Sequence, residues 1–208
     1  MPNNRLGILL SGRGSNFQAI ARNIECKSLD AKIAVVISNR TDAGGLSMAR
    51  ELGIPSVCVP SSQSVPREEY DLELVRVLQS YDVDLVCLAG FMRLLSPGFI
   101  RAFPERILNI HPSLLPAFPG LDAQGQALRH GVKVSGCTVH FVDEHLDSGP
   151  IVLQAAVEVL DGDTEAELGA RILSQEHVFY SRAIGLVLSG QFGIDGRRVI
   201  AKCSNLKT

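Results

Sequence analysis

Along the first half of the chain, short unbroken apolar runs alternate with stretches whose apolar residues return every third or fourth position. Leu6 to Leu10, Ile33 to Ser38, Ser56 to Val59 and Leu85 to Leu88 are the runs. They have the form of strands covered on both faces. Between them, helical spacing starts at Phe17 (with Ile20, Ala21 and Ile24), extends from Asp42 to Leu52 up to Gly53, and returns from Arg67 to Tyr81 with Leu72, Leu74, Val75 and Leu78 on the apolar stripe. Ser96-Pro97 predicts a short helix, with serine as cap and proline at the first position. Strand and helix in alternation predict a parallel sheet wrapped by helices.

The rhythm changes after Arg106-Ile107-Leu108-Asn109-Ile110-His111. Pro112, Pro116 and Pro119-Gly120 make a long irregular connection, of a kind often tied to function. The Leu115-Pro116 peptide is left open between cis and trans, and a cis bond suits so tight a turn. A helix is predicted for Asp122 to His130, and an alternating strand for Cys137 to Val142. A polar turn at Asp143 to Pro150 follows, then a strand from Ile151 to Val159. Two strands joined by so short a turn pair antiparallel, which makes the sheet mixed. Thr164 and Glu167 form a capping box for the longest helix, through about Leu188 and ended by Gly190. The tail from Phe192 to Ile200, with Asp195-Gly196 at its centre, predicts a hairpin.

Composition adds bounds. The 208 residues, 46% hydrophobic, suffice for a proper core in one large domain or two small ones. A net charge of −2 argues against a protein that chiefly grips nucleic acid. Cys26, Cys58, Cys87, Cys137 and Cys203 are odd in number and contain no C-x-x-C pair, as expected of a reduced protein without a disulfide frame or structural zinc. The apolar start is too short for a signal peptide and no run reaches membrane-span length, so the expected compartment is the cytoplasm, with no membrane partner.

Candidate chemistry sits at the strand ends. Ser11-Gly12-Arg13-Gly14-Ser15-Asn16 links the first strand to a helix N-terminus, where glycines admit close approach and free N–H groups point outward. Phe17 breaks the dinucleotide fingerprint and no G-K-[ST] follows, so the turn is either a cradle for a single phosphate or simply a turn. Asn109 and His111 lie two apart and share a strand face at a carboxyl end. Together with Asp147, and less clearly Thr138 and His140, they suit acyl-type transfer: amide and imidazolium stabilise an oxyanion, and the carboxylate supports the imidazolium. Each has a plainer reading, His111 as a structural hydrogen-bonder, His140 as an interior histidine, Asp147 as the start of a turn. His130 and His145 read as surface residues. Ser113 has no nucleophile elbow and no cysteine sits in an activating context, so direct attack between substrates is favoured over an acyl-enzyme. Ligand spacing for a metal is lacking.

These segments, with Leu88-Ala89-Gly90-Phe91-Met92-Arg93, His111-Pro112-Ser113-Leu114-Leu115-Pro116 and Leu146-Asp147-Ser148-Gly149-Pro150, stand in an order that resembles the folate-dependent formyltransferases. The likeness runs from about Leu6 into the long helix, and the glycine turn with Glu176 narrows it to the branch acting on glycinamide ribonucleotide in purine synthesis. It implies an α/β fold with a Rossmann-like, mostly parallel sheet, helices on both faces and antiparallel strands toward the C-terminal part. It also implies one domain over 1–208, about 1–100 forming the phosphate-binding half and about 101–208 the catalytic and folate-binding half.

The resemblance assigns Asn109, His111 and Asp147 to catalysis, and Gly14, Ser15, Asn16 and Glu176 to glycinamide ribonucleotide. It assigns Arg67, Met92, Arg93, Leu94, Leu95, Asn109, Val142, Asp143, Glu144, His145, Leu146 and Asp147 to 10-formyltetrahydrofolate, the co-substrate, with an apolar slot including Leu88, Ile100 and Ile107 and with no metal. Position 173, usually polar or basic in the family, is Leu here, and Arg13 is a candidate to compensate. The expected partners are these two small molecules, with a homodimer left open. A tRNA-acting relative would carry a further domain and a basic surface. A formyltetrahydrofolate hydrolase and a non-catalytic phosphometabolite binder remain as alternatives, separated by whether turnover requires the amine.

Overall fold

The computed structural model describes residues 4–62 and 64–202; Cys203 lies outside them. The order is β1 (Arg5–Leu10), α1 (Ser15–Glu25), β2 (Lys32–Ser38), α2 (Gly44–Glu51), β3 (Ser56–Cys58), α3 (Arg67–Ser80), β4 (Leu85–Leu88), α4 (Pro97–Ala102) and β5 (Ile107–His111). Then come α5 (Ala123–His130), β6 (Val134–Phe141), β7 (Ile151–Glu158), α6 (Glu165–Leu188), β8 (Phe192–Asp195) and β9 (Arg198–Ala201). All described strands join one sheet in the order β3-β2-β1-β4-β5-β6-β7-β9-β8. The strands from β3 through β5 are parallel. β5 with β6, β6 with β7 and β8 with β9 are antiparallel, while β9 joins β7 in parallel. The mixed, mostly parallel sheet is as the sequence predicts. The hairpin also forms, but pattern gave no indication that it would dock on β7.

The sheet has a core on each face. Leu6, Ile8 and Leu10 of β1 pack with Phe17, Ile20, Ile172, Tyr180 and Ile184 of α1 and α6. Leu9 points the other way, into a cluster with Tyr70, Leu74 and Leu78 of α3 and Phe99 of α4. Burying each of these large side chains contributes roughly 1.5–3 kcal/mol. From Leu6 to Leu10, β1 is wholly apolar because it lies inside the sheet and is covered on both sides.

Two patterns read differently in the structure. Leu72 is exposed, and Asp71 turns inward instead, accepting a hydrogen bond from the Ser96 backbone N–H just before α4. A buried carboxylate on an otherwise apolar helix face breaks hydrophobic periodicity. The strand expected at Cys137–Val142 is longer, and from Ser135 onward every residue is buried, so its alternation reflects polar side chains packed inside the protein. The serine cap of α4 and the capping box of α6 form as expected.

The Tyr180 hydroxyl of α6 lies 3.0 Å from the carbonyl oxygens of both Leu88 and Leu108, sharing its one proton between the last residue of β4 and the second of β5. Tyr180→Phe removes this tie without opening a cavity. It is expected to lower stability by about 1 kcal/mol and the melting temperature by roughly 2–4 °C, read by calorimetry.

Candidate active site

The chain runs from β1 outward through β2 to β3, then crosses back to place β4 on the other side of β1. Loops leaving the carboxyl ends of β1 and β4 therefore diverge, opening the crevice that α/β sheets offer to ligands. On one side is the glycine turn. Gly14 has φ 81° and serves as N-cap of α1 with no side chain capping the helix. A Cβ there would stand 3.0 Å from the Gly45 Cα in a conformation L-residues rarely adopt. The first-turn N–H groups of α1 are thus left for an anion.

Asn16 and Glu176 meet beneath this turn. The Asn16 amide donates to Glu176 Oε2 at 2.7 Å, joining residues far apart in sequence. Both side chains are buried, and the Asn16 Oδ1 has no protein partner. Burial holds the Glu176 carboxyl above the ordinary carboxylate range, against the opposing pull of the Asn16 hydrogen bond. Leu173 is half-buried nearly one turn earlier on α6, and Arg13 is exposed on the glycine turn.

The centre of the crevice is polar. Antiparallel pairing sets Asn109 opposite His140 and His111 opposite Thr138. Asn109 Nδ2 lies 3.2 Å from His140 Nε2, and His140 Nδ1 lies 2.8 Å from the Phe141 carbonyl oxygen. A carbonyl only accepts, so Nδ1 carries the proton and Nε2 accepts from the amide. Burial pushes the His140 imidazole down from its ordinary pKa, which keeps it neutral. His111 differs. Its Nε2 donates to the Phe118 carbonyl at 2.8 Å, and its Nδ1 faces Asp147 Oδ2 at 3.4 Å. Both ring nitrogens face acceptors, an arrangement that an imidazolium satisfies and a neutral ring satisfies only in part.

Asp147 joins the loops. Its Oδ2 accepts the Gly120 N–H at 2.8 Å, and its Oδ1 is 3.7 Å from His140 Nε2. Its backbone is left-handed, φ 47°, which aspartate tolerates better than most residues. The plain turn reading holds, and the carboxylate also faces both histidines.

The proline connection is fixed from the opposite strand. Thr138 Oγ1 donates to the Ser113 carbonyl and accepts from the Leu115 N–H and from the Gln154 amide, which also reaches the Leu115 carbonyl. The Leu115–Pro116 peptide is cis. Ser113, fully buried, donates to the Ala117 carbonyl, leaving it no nucleophilic role.

On the far side, Leu88, Leu95 and Ile107 lie in one apolar cluster with Ile100 and Val142 against it. Met92, Leu94, Leu121 and Leu146 project from the surrounding loops as exposed apolar side chains. Exposed apolar groups gathered around a polar centre suit a flat, partly apolar ligand. Arg93 lays its guanidinium over the Tyr70 ring at 4.4 Å, and its buried Nε has no protein partner. Asp143 accepts the His145 N–H, Glu144 pairs with Arg101 at 3.6 Å, and His145 is exposed. Arg67 stands apart at the start of α3, paired with Glu68.

The structure thus brings Asn109, His111 and Asp147 together. It adds contacts that sequence did not assign, namely the pairing of Asn109 with His140 (in sequence only a less clear candidate), the Phe118 carbonyl on His111 and the Gly120 N–H on Asp147. Only strand register could have revealed the first. Among the described residues no group of three or more His, Cys, Asp or Glu side chains is placed to hold a metal. A broad groove along α1, lined by Arg22, His177 and Arg182, contains none of the central polar residues.

The chain is similar to known proteins over most of its length. The family described as formyl transferase matches residues 4–184. The phosphoribosylglycinamide formyltransferase of Escherichia coli is 43% identical over 92% of this chain and 94% of its own length. The trifunctional purine biosynthetic protein adenosine-3 of Drosophila pseudoobscura is 48% identical over 91% of this chain, which spans 14% of that longer protein. The crystal structure of glycinamide ribonucleotide transformylase 1 from Symbiobacterium toebii superposes with a TM-score of 0.93, at 54% identity, covering 95% of this chain and 93% of the other.

Glu176 gives a prediction with a defined sign. With its pKa raised in the fold, the native state holds a proton more tightly than the unfolded chain. The stability this contributes is present below the ordinary value of 4.5 and is lost as pH rises through the folded pKa. Glu176→Gln is therefore expected to melt at a higher temperature than the parent at pH 7.5, with the gap closing as pH falls toward 4.5.

Proposed function

The chain belongs to the formyl transferase family, and we infer that it transfers the formyl group of 10-formyltetrahydrofolate to the amine of glycinamide ribonucleotide, a step of purine biosynthesis. The observation that carries this reading is the polar patch of Asn109, His111, His140 and Asp147, lying between an uncapped helix N-terminus and a rim of exposed apolar side chains. Two dissimilar ligands, one phosphorylated and one flat and apolar, can meet only at such a patch.

The roles are those that the family resemblance implies, laid onto the geometry. Backbone groups of Gly14, Ser15 and Asn16 hold the phosphate, and Glu176, set by Asn16, takes the ribose hydroxyls. The pterin lies between Met92–Leu95 and Val142–Asp147, over Leu88, Ile100 and Ile107, with Arg67 and Arg93 at positions that the family resemblance assigns to the folate. The amine nitrogen attacks the formyl carbon, forming the N–C bond and turning the carbonyl oxygen into an oxyanion. Asn109 has one Nδ2–H on His140 and the other free for that oxyanion. His111 keeps its Nε2 proton on Phe118, so its Nδ1 proton, loosely held at 3.4 Å from Asp147, is the one offered to the reacting atoms. Collapse breaks the bond from carbon to N10. The proton lost by the amine reaches N10 by way of His111 and Asp147.

The division at about residue 100 is one of sequence and not of space, since Asn16 and Glu176 serve one ligand from opposite halves of a single domain. Cys26, Cys58, Cys87 and Cys137 are free thiols, which supports a reducing compartment such as the cytoplasm. The homodimer remains an expectation that sedimentation reads directly.

A single assay tests the function. Folate deformylation is expected to require glycinamide ribonucleotide; turnover without the amine marks a hydrolase, and phosphate-ester binding without turnover marks a binding protein. His111→Ala and Asp147→Asn are each expected to lower kcat by roughly 100- to 1000-fold. Near-normal turnover in both would remove these residues from the mechanism.

A further inference from the structure

Ser11 is the last residue before the glycine turn, and it is bonded twice to the loop after β4. Its N–H donates to the Gly90 carbonyl at 3.0 Å, continuing the β1–β4 ladder past the bond from the Ala89 N–H to the Leu9 carbonyl. Its Oγ accepts the Met92 N–H at 2.9 Å. Ser11 and the intervening Phe91 are buried while Gly90 and Met92 are exposed, so the bonds tie a surface loop to the edge of the core. Beyond Met92, the next backbone group held by a side chain is the Ser96 N–H, which donates to the buried Asp71 carboxylate. Met92 to Leu95 is therefore strung between two posts, Ser11 just after β1 and Asp71 on α3.

The two posts differ in what else they touch. Asp71 belongs to the scaffold. Ser11 leads directly into the turn, where the Gly12 carbonyl accepts the Gly45 N–H and Gly14 caps α1. A shift of the turn onto a phosphate is transmitted to Ser11 through covalent bonds, and from Ser11 to Met92 through one side-chain hydrogen bond.

We propose that Ser11 is a positioning residue that couples the two substrate sites: ordering of the glycine turn by the phosphate sets the Met92–Leu95 loop for the folate, and the reverse. The inference rests on the reading that these loops hold those ligands. Coupling of this kind is reciprocal, so each ligand must tighten the other by the same factor. The Oγ acceptor is the part a substitution can delete. Without it the Met92 N–H loses its partner while the Gly90 bond, the ladder and the Asp71 post remain.

The test is calorimetric titration of glycinamide ribonucleotide and of a carba-folate in which CH2 replaces N10, so that no formyl group can leave. Each is titrated alone and with the other saturating, on the parent, Ser11→Ala and Ser11→Thr. The parent is expected to show equal tightening in both directions, about fivefold or more. In Ser11→Ala, glycinamide ribonucleotide alone binds as in the parent, the carba-folate weakens about two- to tenfold, and the coupling factor falls to about one. Ser11→Thr, which keeps the hydroxyl, restores it. In turnover the Ser11→Ala change appears in KM for 10-formyltetrahydrofolate and not in kcat. A merely structural serine would lower the melting temperature and leave the coupling factor unchanged. Undiminished coupling in Ser11→Ala overturns the proposal. So does a parent that binds both ligands without coupling, in which case the formyltransferase reading stands. A parent that binds neither ligand overturns both.

Discussion

The antiparallel register between β5 and β6 is the constraint on which the rest of the site depends. Up to β5 the sheet is parallel and could have continued so. Adding β6 in the opposite sense places His140 directly across from Asn109, and Thr138 across from His111. Cross-strand neighbours on one face stand close enough for side chains to bond directly. A shift of one residue would turn both to the other face and into the apolar cluster of Leu108, Ile110, Cys137 and Val139. The register is fixed by those apolar neighbours, so the packing on one face specifies the chemistry on the other.

The same pairing governs the long proline connection. A loop of this length would ordinarily sample many conformations, yet Thr138 and Gln154 bind its backbone at Ser113 and Leu115. Phe118 and Gly120 then complete it from within, the first accepting from His111 and the second donating to Asp147. The loop is thus built into the site at both ends of the His111–Asp147 pair. Its backbone groups act as ligands of the side chains, and the side chains act as its struts.

Much of this was legible in the sequence because it is local. The strands through β5, the serine cap before Pro97, the capping box at Thr164 and the uncapped glycine turn all rest on neighbouring residues. Asn109 and His111 were legible as a pair because the strand period places them on one face. Asp71 was not, because a carboxylate that turns inward to hold Ser96 carries no pattern of its own. His140 was read as an interior histidine, and it is buried, but only the fold shows that its free nitrogen meets Asn109. The joining of Asn16 to Glu176 was equally invisible, since nothing short of the assembled packing of α1 on α6 brings them together.

His111 and His140 share one carboxylate, and their surroundings assign them opposite tasks. Two imidazolium ions against a single Asp147 would repel each other, and burial, more than any charge nearby, already disfavours protonation of His140. His140 is the deeper ring. It donates to the adjacent Phe141 carbonyl and presents a lone pair to Asn109, which is possible only while it is neutral. His111, with an acceptor at each nitrogen, is the ring suited to carry charge. Keeping His140 neutral therefore does two things together. It leaves Asp147 facing a single imidazole N–H, that of His111, and it gives Asn109 an acceptor that holds one amide N–H and leaves the other free. A protonated His140 would lose both, because its Nε2–H would turn the amide oxygen inward and swing the free N–H to the other side.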